Sequence, residues 1–208
     1  MIPLYDKNKV KGHFPIATTL LVLANIFIFF YTIQDIVVYG DIFGFSKDNL
    51  LNGRFYTLLT AMFLHANFWH LFGNLLFLWV FGENLEARLG SWRFLLFYLM
   101  CGMGAFLIYA LFSNSQLVVI GASGAISGIL GGYLVLFPKN EIRSIIPLVF
   151  FWTLASLPAA VFIIIWFLYQ FFSLQFENVD MVAYSAHLGG FILGLLLVKR
   201  FSSRKKFF

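Results

Sequence analysis

Apolar residues fall into six runs, at about 16–34, 64–82, 93–112, 119–137, 145–171 and 183–199, separated by more polar stretches. Each is close to the ~20 apolar residues a helix needs to cross a bilayer. The pattern predicts an all-α polytopic membrane protein, a bundle of six transmembrane helices forming a single membrane domain over residues 1–208. The fifth run is the longest and holds Pro147 and Pro158. A proline inside a span frees a backbone carbonyl and bends the helix. Between the first two runs, from about Gln34 to Phe63, lies a segment too long for a tight turn and too polar to span. Connections of this length are usually functional or mobile, and its apolar content places it on or in the membrane interface. No small-residue cleavage site follows the first run, which therefore reads as a retained span.

Composition supports the pattern. Of 208 residues 61% are hydrophobic and 11% charged, against roughly 45–50% and about 25% in average globular chains. An ordinary soluble domain is excluded, because too few polar side chains exist to cover a surface facing water. The net charge of +5 does not point to nucleic acid, since the cations cluster between apolar runs and form no basic face. With the N-terminus inside, 12 of the 14 Lys and Arg residues fall on the cytoplasmic side, leaving only Lys47 and Arg54 outside. The positive-inside bias then sets both termini in the cytoplasm. The single cysteine, Cys101, excludes an internal disulfide and any CxxC site, and reads as a small buried hydrophobe.

Polar groups inside spans are costly and mark function by default. Ser123 lies in Gly121-Ala122-Ser123-Gly124-Ala125-Ile126-Ser127-Gly128. This string reads either as a tight helix–helix contact or as a nucleophile with space cleared around it by Gly121 and Gly124. His187 lies in a helix whose Ala183, Ala186, Gly190 and Gly194 form a small-residue stripe, matched by Gly124, Gly128, Gly131 and Gly132 in the fourth run. It is either a histidine bonding across that contact or a base held against Ser123. His70 and Asn74, at i and i+4, share a helix face. They are either interhelical hydrogen-bonding groups or donors aimed at an oxyanion. His65, five residues before His70, is expected to turn away from that face.

Topology supplies a check on these readings that no single motif gives. The second, fourth and sixth spans run from outside to inside, and all four polar residues lie near their starts. At 1.5 Å per residue, they share one layer near the outer leaflet. A hydroxyl, an imidazole and oxyanion donors are what nucleophilic catalysis needs. No Asp or Glu lies within a span, so the expectation is a Ser–His dyad whose histidine is oriented by packing. The same inventory excludes an HExxH zinc protease, a paired-aspartate protease and an ion-coupled transporter. No metal and no cofactor are expected.

These residues resemble the rhomboid intramembrane serine proteases. The matching strings run from His65 to Ser91, from Gly121 to Gly128 and from Ala186 to Gly194, and the likeness is to the compact six-helix bacterial or archaeal form. The resemblance implies Ser123 as nucleophile and His187 as general base. It implies an oxyanion hole of His70, Asn74 and the Ser123 backbone N–H. His65, Gly121, Gly124, Gly190, Gly194, Glu86 and Arg88 would be supporting residues. It further implies cleavage of transmembrane segments of other membrane proteins near the outer face, in the cytoplasmic membrane and among its lipids. The fifth span and the loop before the sixth would form a lateral gate. Two places depart from the family pattern. An aromatic–Arg pair in the first loop is replaced by Tyr56-Thr57, and a tyrosine that stacks on the base is replaced by Ser127. His187 is then braced through Ser127 or by backbone contacts across the seam. The alternative is a catalytically silent rhomboid-like protein that binds membrane clients.

Overall fold

The computed structural model describes residues 1–10, 12–112, 117–147, 151–180 and 182–202. Lys11, Arg204, Lys205 and Lys206, four of the cations in the orientation count, lie outside the described residues, as do residues 148–150 of the fifth apolar run. The chain opens with strand β1 (Ile2–Asp6) and helix α1 (Ile16–Thr32). The long first connection folds into three short helices, α2 (Ile36–Phe43), α3 (Lys47–Leu51) and α4 (Thr57–Thr60). Two long helices follow, α5 (Phe68–Leu89) and α6 (Ser91–Phe112), and then the shorter α7 (Ser123–Leu136). Strands β2 (Glu141–Pro147) and β3 (Trp152–Pro158) precede α8 (Ala159–Ser173), α9 (Glu177–Asp180) and α10 (Tyr184–Phe201).

The molecule is mostly helical, but the all-α expectation needs correcting. In the first part of the fifth run, residues 145–147 and Trp152–Pro158 are strand, not helix. They belong to the antiparallel pair β2 and β3, to which β1 adds a third strand, in the order β1-β2-β3. A continuous apolar run does not distinguish a buried helix from a buried strand. Pro158 then ends β3 and serves as the N-cap of α8, where its missing N–H costs nothing. The sheet sits at the end of the bundle where α5 and α7 finish. There the buried Asp6 accepts hydrogen bonds from the Tyr133 hydroxyl, Asn84 (2.5 Å) and Asn140 (2.9 Å).

Among the described residues, three helical segments are long and apolar enough to cross a membrane: Ile16–Phe43, Ser91–Phe112 and Ala159–Phe176. Helices α5 and α10 have 22 and 18 residues, but their polar groups dilute their hydropathy. They carry His70, Asn74 and Glu86, and His187, Lys199 and Arg200, respectively. Large apolar side chains cover the outside of the bundle, among them Phe27, Phe30, Trp69, Leu111 and Phe172, each exposed by more than 60%. A surface this apolar needs a lipid environment.

The core is built on a glycine seam between α7 and α10. A Cβ on Gly190 would stand 2.0 Å from the carbonyl oxygen of Gly124, and one on Gly194 the same distance from that of Gly128. Only hydrogen fits where backbones approach so closely. On its other side α7 meets α6, where a Cβ on Gly124 would come within 2.7 Å of the Ala105 methyl. The first connection is also tied down. Phe45 is fully buried and stacks on Phe106 at 5.0 Å. Its backbone exchanges two hydrogen bonds with Val119, at 3.0 and 2.7 Å. The Tyr56 hydroxyl donates to the Ile42 carbonyl (3.0 Å), and the Thr60 hydroxyl to that of Phe43 (2.7 Å). These bonds anchor the loop where the aromatic–Arg pair is replaced.

Candidate active site

Helix α7 begins at Ser123, directly after Gly121 with φ +121 and the N-cap Ala122. The first N–H groups of a helix have no intrahelical acceptor, and the macrodipole places partial positive charge at this end. The half-buried Ser123 hydroxyl therefore stands beside backbone N–H groups that have no acceptor within the helix. The segment leading into it is fixed by the Phe45–Val119 bridge and by the Gly121 amide, which donates to the Ala61 carbonyl at 2.8 Å.

Across the seam, His187 lies in the first turn of α10. Ala183, its N-cap, offers no side-chain acceptor. The carboxylate of Glu177 replaces it, accepting from the Ser185 backbone N–H (2.8 Å) and hydroxyl (2.7 Å). With both helices held, Ser123 Oγ and His187 Nε2 are 2.7 Å apart, within hydrogen-bond distance. On the other side of the imidazole, Nδ1 is 2.7 Å from Gln170 Oε1. Trp166 and Tyr184 flank the ring at centroid distances of 6.4 and 6.2 Å. Ser127 does not brace the histidine. Its hydroxyl donates to the Ser123 carbonyl on its own helix at 2.6 Å.

Asn67 caps α5 by accepting from the His70 amide at 2.9 Å. Because of that cap the helix begins at Phe68, and His65 lies before it. The expected divergence of His65 from His70 is thus corrected: the two rings meet edge to face at 5.1 Å, with His65 fully buried. His70 Nδ1 accepts weakly from the Ala66 amide (3.4 Å), which leaves the proton on Nε2. A Cβ on Gly121 would come within 2.7 Å of that nitrogen, so only glycine lets the segment preceding Ser123 approach His70. Asn74 is buried and gives one amide N–H to the His70 carbonyl at 2.8 Å.

Ser123, His187, His70, Asn74 and Gln170 line one cavity of about 700 Å³, and none of the described residues lining it is charged. Away from it, Glu86 is fully buried and Arg88 half-buried, both near the end of α5. Gln170 is absent from the sequence expectations. It is the sole amide in α8, but it sits one residue from the end of the predicted fifth span, where a polar residue reads as a boundary.

A family model described as the Rhomboid domain matches residues 52–204. The chain belongs to the rhomboid family. It is 31% identical over 198 residues to the rhomboid-family protein YdcA of Bacillus subtilis (strain 168), covering 90% of each chain. It is 40% identical over 100 residues to rhomboid protease GluP of the same organism, 48% of this chain and 19% of that one. Rhomboid-like protein 11 of Arabidopsis thaliana, chloroplastic, is 43% identical over 74 residues, 36% of this chain and 26% of the relative. This rhomboid is thus an integral membrane protein of a protease family, and the matches to GluP and the plant protein cover only part of those longer chains.

Proposed function

We propose that this rhomboid is an intramembrane serine endopeptidase that cleaves transmembrane segments of other membrane proteins near the outer membrane face. The observation that carries the reading is the 2.7 Å approach of Ser123 Oγ to His187 Nε2. His187 Nε2 takes the hydroxyl proton as Oγ attacks the scissile carbonyl carbon. The negative charge that develops on the carbonyl oxygen is met by the Ser123 backbone N–H, the second amide N–H of Asn74 and the Nε2–H of His70. His187 then passes the proton to the leaving amine, and water hydrolyses the acyl-enzyme by the reverse proton path. His65, Gly121, Gly124, Gly190, Gly194, Glu86 and Arg88 hold these groups in place.

The chain acts as one domain, 1–208, with α1, α5, α6, α7, α8 and α10 as six spans and both termini cytoplasmic. The membrane is the cytoplasmic one of a bacterium or archaeon. With 14 residues, α7 is only about 21 Å long, short of the ~30 Å hydrocarbon core. It is surrounded by other helices and need not reach both faces. The space beyond its first residue is where the cavity lies, and water enters there from outside. Substrate enters past α8 and the loop before α10.

The test is labelling of the purified protein by a serine-reactive fluorophosphonate, with cleavage of a model transmembrane substrate in the same samples. Labelling and cleavage lost in both Ser123→Ala and His187→Ala support the dyad. A folded wild type that neither labels nor cleaves overturns it in favour of a silent, client-binding rhomboid, a reading that the plant relatives named only rhomboid-like keep in view.

A further inference from the structure

We propose that Gln170 is a positioning residue for His187, taking the part that a carboxylate plays in a three-membered site. The proposal rests on the protease reading above and names what orients its base.

The chemistry follows from which atoms face each other. Gln170 Oε1 stands 2.7 Å from Nδ1. An amide oxygen only accepts, so Nδ1 must carry the proton. Neutral imidazole has one N–H, which leaves the lone pair on Nε2, facing Ser123 Oγ at 2.7 Å. That is the tautomer a general base needs. The opposite tautomer would present N–H to the nucleophile and accept nothing. In a site with an acid, a carboxylate fixes this choice and also stabilises the imidazolium formed during reaction. No carboxylate lines this cavity among the described residues. The amide fixes the tautomer but adds only a dipole to stabilise the cation.

Placement supports the assignment. Gln170 is 6% exposed and lies on the inner face of α8 with the fully buried Phe162 and Ile163, while Ile164, Ile165, Leu168, Phe171 and Phe172 face outward. A buried amide on a lipid-facing helix is costly unless it is bonded, and its bond goes to the base. Trp166, one turn earlier on the same face, also lies against the imidazole. The orientation of His187 therefore depends on α8 being docked against α10.

The experiment uses the full chain in lipid nanodiscs, with Gln170→Leu, Gln170→Glu and Ser123→Ala beside wild type. Cleavage of a model transmembrane substrate is followed across pH. The His187 tautomer is read by nitrogen NMR of histidine-labelled protein and assigned against His187→Asn. In wild type His187 is the Nδ1–H tautomer. Gln170→Leu is expected to mix the tautomers and lower kcat tenfold or more with KM within twofold. Gln170→Glu keeps the accepting oxygen, so activity near neutral pH stays within a few-fold of wild type. Its carboxylate favours the imidazolium, so the acid limb moves to higher pH by about one unit. A Gln170→Leu protein with wild-type tautomer and kcat overturns the proposal. So does a Gln170→Glu protein that falls as far as Gln170→Leu with its acid limb unmoved, since that is the mark of a purely structural residue. Should wild type show no Ser123-dependent cleavage, the protease reading fails, and the tautomer measurement still decides whether Gln170 orients His187.

Discussion

Glu86 Oε2 accepts both the backbone N–H and the hydroxyl of Thr18, each at 2.7 Å, across 68 residues of sequence. Its other oxygen accepts from the Ala17 amide (2.9 Å) and the Ser91 hydroxyl (2.6 Å). Helix α1 follows Pro15 and has no side-chain cap of its own, so a carboxylate from the last turns of α5 supplies one. Because Ser91 opens α6, one fully buried side chain joins the starts of two helices to the end of a third. A negative group at a helix N-terminus is also favoured by the macrodipole.

Replacing Glu86 by alanine therefore strands several buried donors at once. At about 1–3 kcal/mol for each unsatisfied buried group, Glu86→Ala is expected to destabilise the fold by ~3 kcal/mol or more. Glu86→Gln, which keeps one accepting oxygen, should fall between the two. Thermal unfolding in detergent measures this. An unfolding midpoint unchanged in Glu86→Ala would show that α1 does not depend on this cap.

The glycine seam gives a sharper expectation, because its neighbours are backbone and cannot swing away. Gly190→Ala puts a methyl 2.0 Å from the Gly124 carbonyl oxygen, so α7 and α10 must separate. Overpacking of this kind costs ~1–3 kcal/mol. The larger effect is on activity, since Ser123 and His187 sit on opposite sides of the seam. A fall in kcat of a hundredfold or more is expected, with loss of fluorophosphonate labelling. Gly40→Ala is the control. Nothing lies within 4 Å of its added Cβ, so activity and stability should hold. Equal behaviour of the two variants would show that the seam does not set the geometry of the site.

Helices α1, α6, α7 and α10 and the small-residue seam were legible in the sequence, because apolar runs and glycine spacing are local signals. The boundaries of α1, α6, α7 and α10 lie within a few residues of the apolar runs. The sheet was not legible. Ile145 pairs with Ile2 on one side and Leu154 on the other, and a contact between residues 2 and 145 leaves no local trace. Hydropathy alone reads Ile145 through Pro158 as more membrane helix. The place of His65 was misread because the Asn67 cap delays α5 until Phe68, which removes the helical angle between His65 and His70. The partners of Glu86 and of His187 were hidden for the same reason as the sheet: Thr18 and Gln170 come from other helices, and each looks unremarkable in its own run.

Activity should fall on the acid side of its pH profile. In the proposed reaction His187 acts through a lone pair on Nε2, which protonation removes. In the neutral form Nε2 accepts from Ser123. In the imidazolium form both nitrogens are donors, and the hydroxyl loses its base. The active fraction is the neutral fraction, so kcat/KM should drop tenfold for each pH unit below the free-enzyme value for His187 and level off above it. Cleavage rates from about pH 4 to pH 9 would trace this single-proton limb. A flat acid side would argue that histidine is not the base.

The substrate's own helix should set much of the rate. A spanning helix holds its carbonyls in internal hydrogen bonds because the bilayer offers no other donors. In the proposed reaction Ser123 Oγ, at the start of α7, can reach a carbonyl carbon only where that helix has unwound. Helix interiors are weakened by ~1 kcal/mol for Gly and ~3 kcal/mol for Pro relative to Ala. Placing Gly–Pro in the outer half of a poorly cleaved transmembrane segment should therefore raise its turnover by tenfold or more. The residue at the cut is left unchanged, so a gain cannot come from side-chain fit. The measurement is the initial cleavage rate of matched segments in one lipid composition. If helix-breaking substitutions leave the rate unchanged while exchange of the residue at the cut alters it strongly, recognition lies in side-chain pockets and unwinding is not limiting.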